Sequence, residues 1–134
     1  MELYMKPTEE DLFGVCPVCT AQKIISGKWS ILVLYYLSCG TMRFSELHRK
    51  MPSLTQATLT KQLRSLEEYG LVERTVYPQV PPRVEYSLTA IGRRFIPVLE
   101  SIYQWGEEYK KYLSAKGVTQ SNHRRNHVPS DDAP

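Results

Sequence analysis

Two sets of side chains in this chain are spaced for chemistry. The first is Cys16-Pro17-Val18-Cys19, two thiols three positions apart at the start of a helix-period segment. The amides of a first helical turn, together with the helix dipole, lower the pKa of a thiol placed there, so redox chemistry is open to this pair. A second reading stays open beside it, because free cysteines are often small buried residues of a packed helix. The second set is Gln56, Thr58, Thr60, Lys61 and Arg64, polar and cationic side chains gathered in the first turns of one helical segment. Such side chains suit base edges and phosphates.

The elements that must carry these residues follow from periodicity. Between Thr55 and Gly70, Leu59, Leu63 and Leu66 recur at i, i+4 and i+7, one apolar stripe with the polar and basic set facing away from it. Thr55 suits an N-cap and Gly70 the left-handed position beyond the last turn. Upstream, Ser45 to Met51 reads as a two-turn helix stopped at Pro52, and Pro52-Ser53-Leu54 as a tight turn. Two helices joined by so short a turn form a helix-turn-helix with the second as the reader.

Downstream, the run from Leu71 to Tyr77 is rich in β-formers, and from Arg83 to Leu88 the residues Val84, Tyr86 and Leu88 alternate onto one face. Between them Pro78-Gln79-Val80-Pro81-Pro82 makes a stiff, projecting tip, flanked by Arg83, that can reach a phosphate backbone. The fold class expected is mainly α with a small antiparallel β-hairpin wing. Further helices are expected from Pro17 to Ser26, from Trp29 to Ser38 in the centre of the core, and from about Ala90 to Leu113. At 1.5 Å per residue the last is about 36 Å long, more than a small domain covers with its own core. Part of it is therefore expected to pack on another chain; the alternative is a surface-wrapping helix whose aromatics all turn inward. Pro97 is expected to be tolerated with a kink or a lost hydrogen bond.

Length and composition fit a single domain: 134 residues, 42% hydrophobic and 23% charged, with a formal charge of +3. Residues 43 to 94 hold nine Lys or Arg against five Glu, whereas residues 1 to 11 hold four acids and one Lys. The basic excess thus sits on the segment suspected of reading DNA. Residues 1 to 15 read as a leader, 16 to 113 as the domain, and 114 to 134, polar and without apolar period, as a disordered tail. No apolar run approaches 18 residues, and no secretory or lipidation signal stands at the start, so a cytoplasmic location with reduced thiols is expected.

An enzyme finds no support: there is no Gly-rich phosphate loop, no HExxH and no GxSxG. Nor is a metal or cofactor expected, since one CxxC supplies only two ligands and His123 and His127 lie about a hundred residues away. Trp29, Tyr35, Tyr36 and Trp105 could line a pocket for a small-molecule effector, or simply pack the core. Arg93 and Arg94 read as solvated helix charges.

Cys16-Pro17-Val18, Gly27-Lys28-Trp29, Arg43-Phe44-Ser45-Glu46-Leu47, Leu59-Thr60, Leu63 to Leu66, Gly70-Leu71-Val72-Glu73-Arg74 and the string from Val80 to Thr89 resemble the HxlR-type winged helix-turn-helix transcriptional regulators, themselves related in fold to the MarR type. The resemblance covers about residues 16 to 109. It implies a homodimer whose first and last helices form the interface and whose two reading heads meet a palindromic operator in double-stranded DNA. On that reading Gln56, Thr58, Thr60, Lys61 and Arg64 enter the major groove, while Arg43, Ser45, Gln79 and Arg83 hold phosphate or minor groove. Some members sense oxidants or electrophiles through a cysteine matching Cys16, so the resemblance makes Cys16 a candidate sensing thiolate; no such role is expected for Cys39. Cys19 departs from the family pattern and opens an intramolecular Cys16 to Cys19 disulfide. The competing function is a winged helix whose same face docks a partner protein, against which the basic outward residues of the Thr55 helix favour DNA.

Overall fold

The computed structural model describes residues 12–117; most of the expected leader and nearly all of the expected tail lie outside the described residues. Helix α1 (Pro17–Ile24) has Pro17 in its first turn, where the missing N–H costs nothing, and it ends before the expected Ser26. Helix α2 (Ser30–Ser38) is apolar on most sides and buries Val33, Leu34, Tyr36 and Leu37, so it forms the centre of the core as expected. Strand β1 (Met42–Arg43) leads into α3 (Phe44–Lys50), whose first turn is closed by the Arg43 N–H donating to Glu46 Oε1 at 2.8 Å.

The turn after α3 is built by two bonds. The Leu54 N–H donates to Met51 O at 3.1 Å, and His48 Nε2 donates to Leu54 O at 2.7 Å. Helix α4 (Gln56–Glu68) then starts where the Thr55 hydroxyl accepts from the Thr58 amide at 3.1 Å. It ends at Gly70, whose φ of 83° is the left-handed conformation that a side chain resists. Leu59, Leu63 and Leu66 lie within 1% of full burial, and each such leucine stabilises the fold by about 1.5–3 kcal/mol.

Strands β2 (Val72–Tyr77) and β3 (Arg83–Leu88) pair antiparallel from Val72 opposite Leu88 to Tyr77 opposite Arg83. The wing is wider than the expected hairpin, because β1 joins the free edge of β3, Met42 opposite Tyr86 and Arg43 opposite Glu85. Tyr86 and Leu88 turn one sheet face into the core beside α2, α3 and α4.

The single helix expected from Ala90 to Leu113 is two helices, α5 (Ala90–Arg93) and α6 (Ile96–Ala115). Thr89 fixes the first: its hydroxyl accepts from the Gly92 amide at 3.1 Å and donates to Gly70 O at 2.5 Å. A Cβ on Gly92 would stand 2.1 Å from Leu71 O, so only glycine lets α5 lie this close to the start of β2. The chain therefore turns at Arg94 and Phe95, and Pro97 falls in the first turn of α6, with no helical bond to lose and no kink to make.

Candidate nucleic-acid interface

Helix α4 presents Gln56, Lys61 and Arg64 exposed, with Thr58 and Thr60 half-buried between them. Gln56, Ala57, Thr60, Lys61, Arg64, Ser65 and Glu68 line one shallow, open depression along the helix, so most of the expected groove-reading set shares a surface. Thr58 stands at its edge, its hydroxyl oxygen accepting from Thr55 Oγ1 at 2.9 Å as part of the cap. Glu68 closes the far end, and its charge leaves the first turns as the part suited to an anionic backbone.

The inner side of the same helix carries a tie that periodicity did not single out. Ser30, 1% exposed, donates to Gln62 Oε1 at 3.1 Å and fastens α4 to the start of α2. Gly27 lies against this pair: a Cβ there would stand 2.3 Å from Gln62 Oε1 and 2.5 Å from Ser30 Oγ.

On the wing, Gln79 is exposed at the tip, where Val80 is wholly bare. Arg83 stands at the base, packed rather than free. Its guanidinium lies 4.3 Å from the centroid of Tyr77, its cross-strand neighbour, and its Nε is 3.4 Å from Glu85 Oε2. That nitrogen is buried and not aligned for a hydrogen bond, so the contact with Glu85 is charge attraction alone. Tyr77 thus braces Arg83; the signal for it was the register, since Tyr77 and Arg83 are the last strand residues on either side of the tip. Arg43 and Ser45 are exposed at the start of α3, with Arg43 opposite Glu85 in the sheet.

The two expected thiols come together. Cys16 is the N-cap of α1, with extended φ and ψ of −88° and 121°, and its sulfur accepts from the Cys19 amide at 3.4 Å. That amide bond first, then a hydrogen bond from the Cys19 thiol, hold the Cys16 pKa below its ordinary value, and burial opposes them. The Thr20 hydroxyl locks the turn by donating to Cys16 O at 2.7 Å and accepting from the Gly14 amide at 2.8 Å. Cys39 lies apart, exposed at the end of α2.

Of the two readings open for Trp29, Tyr35, Tyr36 and Trp105, core packing holds for Tyr36 and Trp29. Tyr36 is in the core and Trp29 packs against it, whereas Trp105 is 64% exposed on α6. An apolar recess of about 200 Å³ opens elsewhere, between α1 and the α5 to α6 turn, lined by Ile24, Ile25, Leu71, Ile91, Arg94 and Phe95 with Ala21. The aromatics of α6 do not turn inward either. Trp105 stacks on Tyr109 at 5.3 Å between centroids, Tyr109 meets Tyr112 at 5.3 Å, and only Leu99 of the whole helix is buried. Among the described residues no three His, Cys, Asp or Glu gather as metal ligands, and no helix is long and apolar enough to cross a membrane.

The chain has relatives that match this geometry. HTH-type transcriptional regulator YdeP of Bacillus subtilis strain 168 is 51% identical over 100 residues, 75% of this chain and 78% of YdeP. An HTH-type transcriptional regulator of Methanothermobacter thermautotrophicus is 48% identical over 103 residues, 77% of this chain and 79% of that one. Among solved structures, the redox regulator HypR in its reduced form superposes with a TM-score of 0.70 at 45% identity, covering 75% of this chain and 99% of that chain. Residues 24–114 match the HxlR-like helix-turn-helix family. With a helix-turn-helix, a three-stranded wing and a basic reading face, this chain belongs to that family and is a transcriptional regulator of helix-turn-helix type, not an enzyme.

Proposed function

We propose that the protein acts in the cytoplasm as a homodimer on a palindromic operator, with the state of the Cys16 thiol controlling its hold on DNA. The observation that carries the dimer is α6, twenty residues of which one is buried, with Trp105, Tyr109 and Tyr112 in a row on its open side. A solvated helix has no use for such a row, and a two-fold partner offering the same row covers it. Val15 before α1 and Val18 in its first turn are further exposed apolar side chains. Two reading helices related by the two-fold then meet half-sites about one helical turn, roughly 34 Å, or a multiple of it apart.

In each half-site Gln56, Thr58, Thr60, Lys61 and Arg64 face the major groove. Arg43, Ser45 and Gln79 hold the backbone beside it, and Arg83, braced by Tyr77, fixes the wing. Control through Cys16 draws support from its lowered pKa and from the likeness to HypR, a redox regulator by name.

The test is binding of purified protein to the DNA upstream of its own gene, across a salt series, with and without diamide, alongside light scattering for mass. Tight, salt-dependent binding of a dimer to one palindromic segment, lost with diamide and restored by reductant, is the expected result. Specific binding indifferent to diamide removes the thiol from the mechanism. No specific binding at any salt hands the same face to a partner protein.

A further inference from the structure

We propose that Cys16 and Cys19 of one chain close a reversible disulfide across the first turn of α1, with Cys16 as the attacked thiol and Cys19 as the resolving one. This deepens the thiol control proposed above, but its chemistry can be read without DNA. The geometry sets the two cysteines on one helical turn. Cys16 is the N-cap and Cys19 the third helical residue, and the Cys19 amide donates to Cys16 Sγ at 3.4 Å. A Cys-X-X-Cys pair at a helix start is an arrangement in which dithiol and disulfide interconvert. Cys39 is the only other thiol of the chain, and its sulfur contacts Tyr35 O at 3.8 Å at the far end of α2, away from this turn.

The oxidant is of the hydroperoxide class. The Cys16 thiolate attacks the distal peroxide oxygen; an S–O bond forms, the O–O bond breaks, and the leaving alkoxide or hydroxide takes up the proton that Cys16 released. Cys19 then attacks the sulfenic sulfur; the S–S bond forms, the S–O bond breaks, and the departing hydroxide leaves as water with the Cys19 proton. Two thiols lose two electrons, and the peroxide gains them.

Closure takes away the acceptor that satisfies the Cys19 amide, because a disulfide sulfur is neither a thiolate nor free to hold that position. The disturbance has a short route to the reader. Phe13, three residues before Cys16, lies 6.0 Å from the ring of Tyr69, the C-cap of α4, and Gly14 is tied into the same turn through Thr20.

The experiment treats full-length protein with hydrogen peroxide, alkylates the remaining thiols, and follows the tryptic peptide that ends at Lys23, which carries both cysteines. The expected product is that peptide lacking two hydrogens and unalkylated, in a chain that runs as a monomer on a non-reducing denaturing gel, with Cys39 still alkylated. Cys19→Ser should instead accumulate a sulfenic acid at Cys16 that dimedone traps. Cys16→Ser, which keeps a capping oxygen, should stay reduced at Cys19. A covalent dimer from the wild type, or the same oxidised product from wild type and Cys19→Ser, overturns the proposal. Operator binding is measured on the same samples: a disulfide that forms without changing affinity refutes thiol control of DNA binding while this bridge stands.

Discussion

Gly27→Ala is the perturbation that tests how the reading helix is held. A Cβ there would lie 2.3 Å from Gln62 Oε1 and 2.5 Å from Ser30 Oγ, and both atoms belong to one hydrogen bond of 3.1 Å. Gly27 has no positive φ, so the backbone accepts alanine and the cost falls on the side chains alone. Gln62 must swing away, which forfeits its bond to Ser30 and leaves a hydroxyl unpaired in a site where Ser30 is 1% exposed. Losing the partner of a buried polar group costs about 1–3 kcal/mol. For a domain of this size 2 kcal/mol lowers Tm by about 8–16 °C. The assay is thermal unfolding at fixed protomer concentration of the wild type, Gly27→Ala, Gln62→Ala and the double variant. In the Gln62→Ala background the atom nearest the new methyl is gone and Ser30 is free to rotate, so Gly27→Ala should cost about 1–2 kcal/mol less than alone. Costs that add to within about 0.5 kcal/mol would refute the reasoning, because independent sites behave that way and contacting ones do not.

Gly92→Ala should destabilise by at least about 1–3 kcal/mol despite alanine's better helix propensity, because its Cβ would meet the Leu71 carbonyl, which is backbone and cannot swing aside; an unchanged or raised Tm in thermal denaturation contradicts this. Arg64→Ala and Lys61→Ala should each reduce the salt slope of operator binding by about one if the side chain holds phosphate, or lose about 1–3 kcal/mol of discrimination at one base pair if it reads the major groove. Fluorescence anisotropy on matched and mutated operators separates the two, and binding unchanged in both respects removes that residue from the interface. The Cys16 alkylation rate should rise with pH about a midpoint below the ordinary thiol value near 8.5, and in Cys19→Ala the midpoint should move up, since the thiol donor is gone and the amide stays. The sign follows from the lowered pKa: the folded state favours the thiolate, a stabilisation present above the unfolded pKa and lost as pH falls through the folded one. An identical midpoint in both proteins rules out the Cys19 thiol as a cause.

The reading helix and the wing were legible because each carries one unambiguous period and a chemical stop. Leu59, Leu63 and Leu66 permit only one buried face, Thr55 and Gly70 fix the ends, and Val84, Tyr86 and Leu88 alternate where the prolines mark a tip. The Cys16 cap was legible for the same reason, since Pro17 is at home only at a helix start. The break between α5 and α6 was not, because Pro97 reads as a kink inside one helix and not as the start of a second. It is imposed from outside, by Thr89 bonding Gly70 O and by Gly92 resting on Leu71, contacts across some twenty positions that no local pattern encodes. Residue type alone left the aromatics open between pocket and core, because Tyr36 and Trp105 share a class but sit on helices that turn one into the core and one into solvent. Arg83 shows the intermediate case. Its position beside the tip was legible, but its packing on Tyr77 needed the strand register.

These ties also bear on where the proposed control of DNA binding would act. The reading helix is fastened at its C-terminal end by Phe13 against Tyr69 and by Thr89 against Gly70, and in its middle by Ser30 against Gln62. Each partner residue lies outside the groove-facing set, and each continues directly into α1, α2 or the helices that end in the exposed aromatic row. In the proposed dimer, a change at the Cys16 turn, or in how two copies of α6 would meet, would reach α4 through bonded or packed atoms. Such a change would alter the helix's angle to the proposed two-fold axis without touching Gln56, Lys61 or Arg64. For a dimer reading two half-sites that angle sets the spacing between reading heads, so affinity for a palindrome is sensitive to it while affinity for a single half-site is not. The same oxidised protein measured on a full and on a half operator separates control through spacing from control through the contacts themselves.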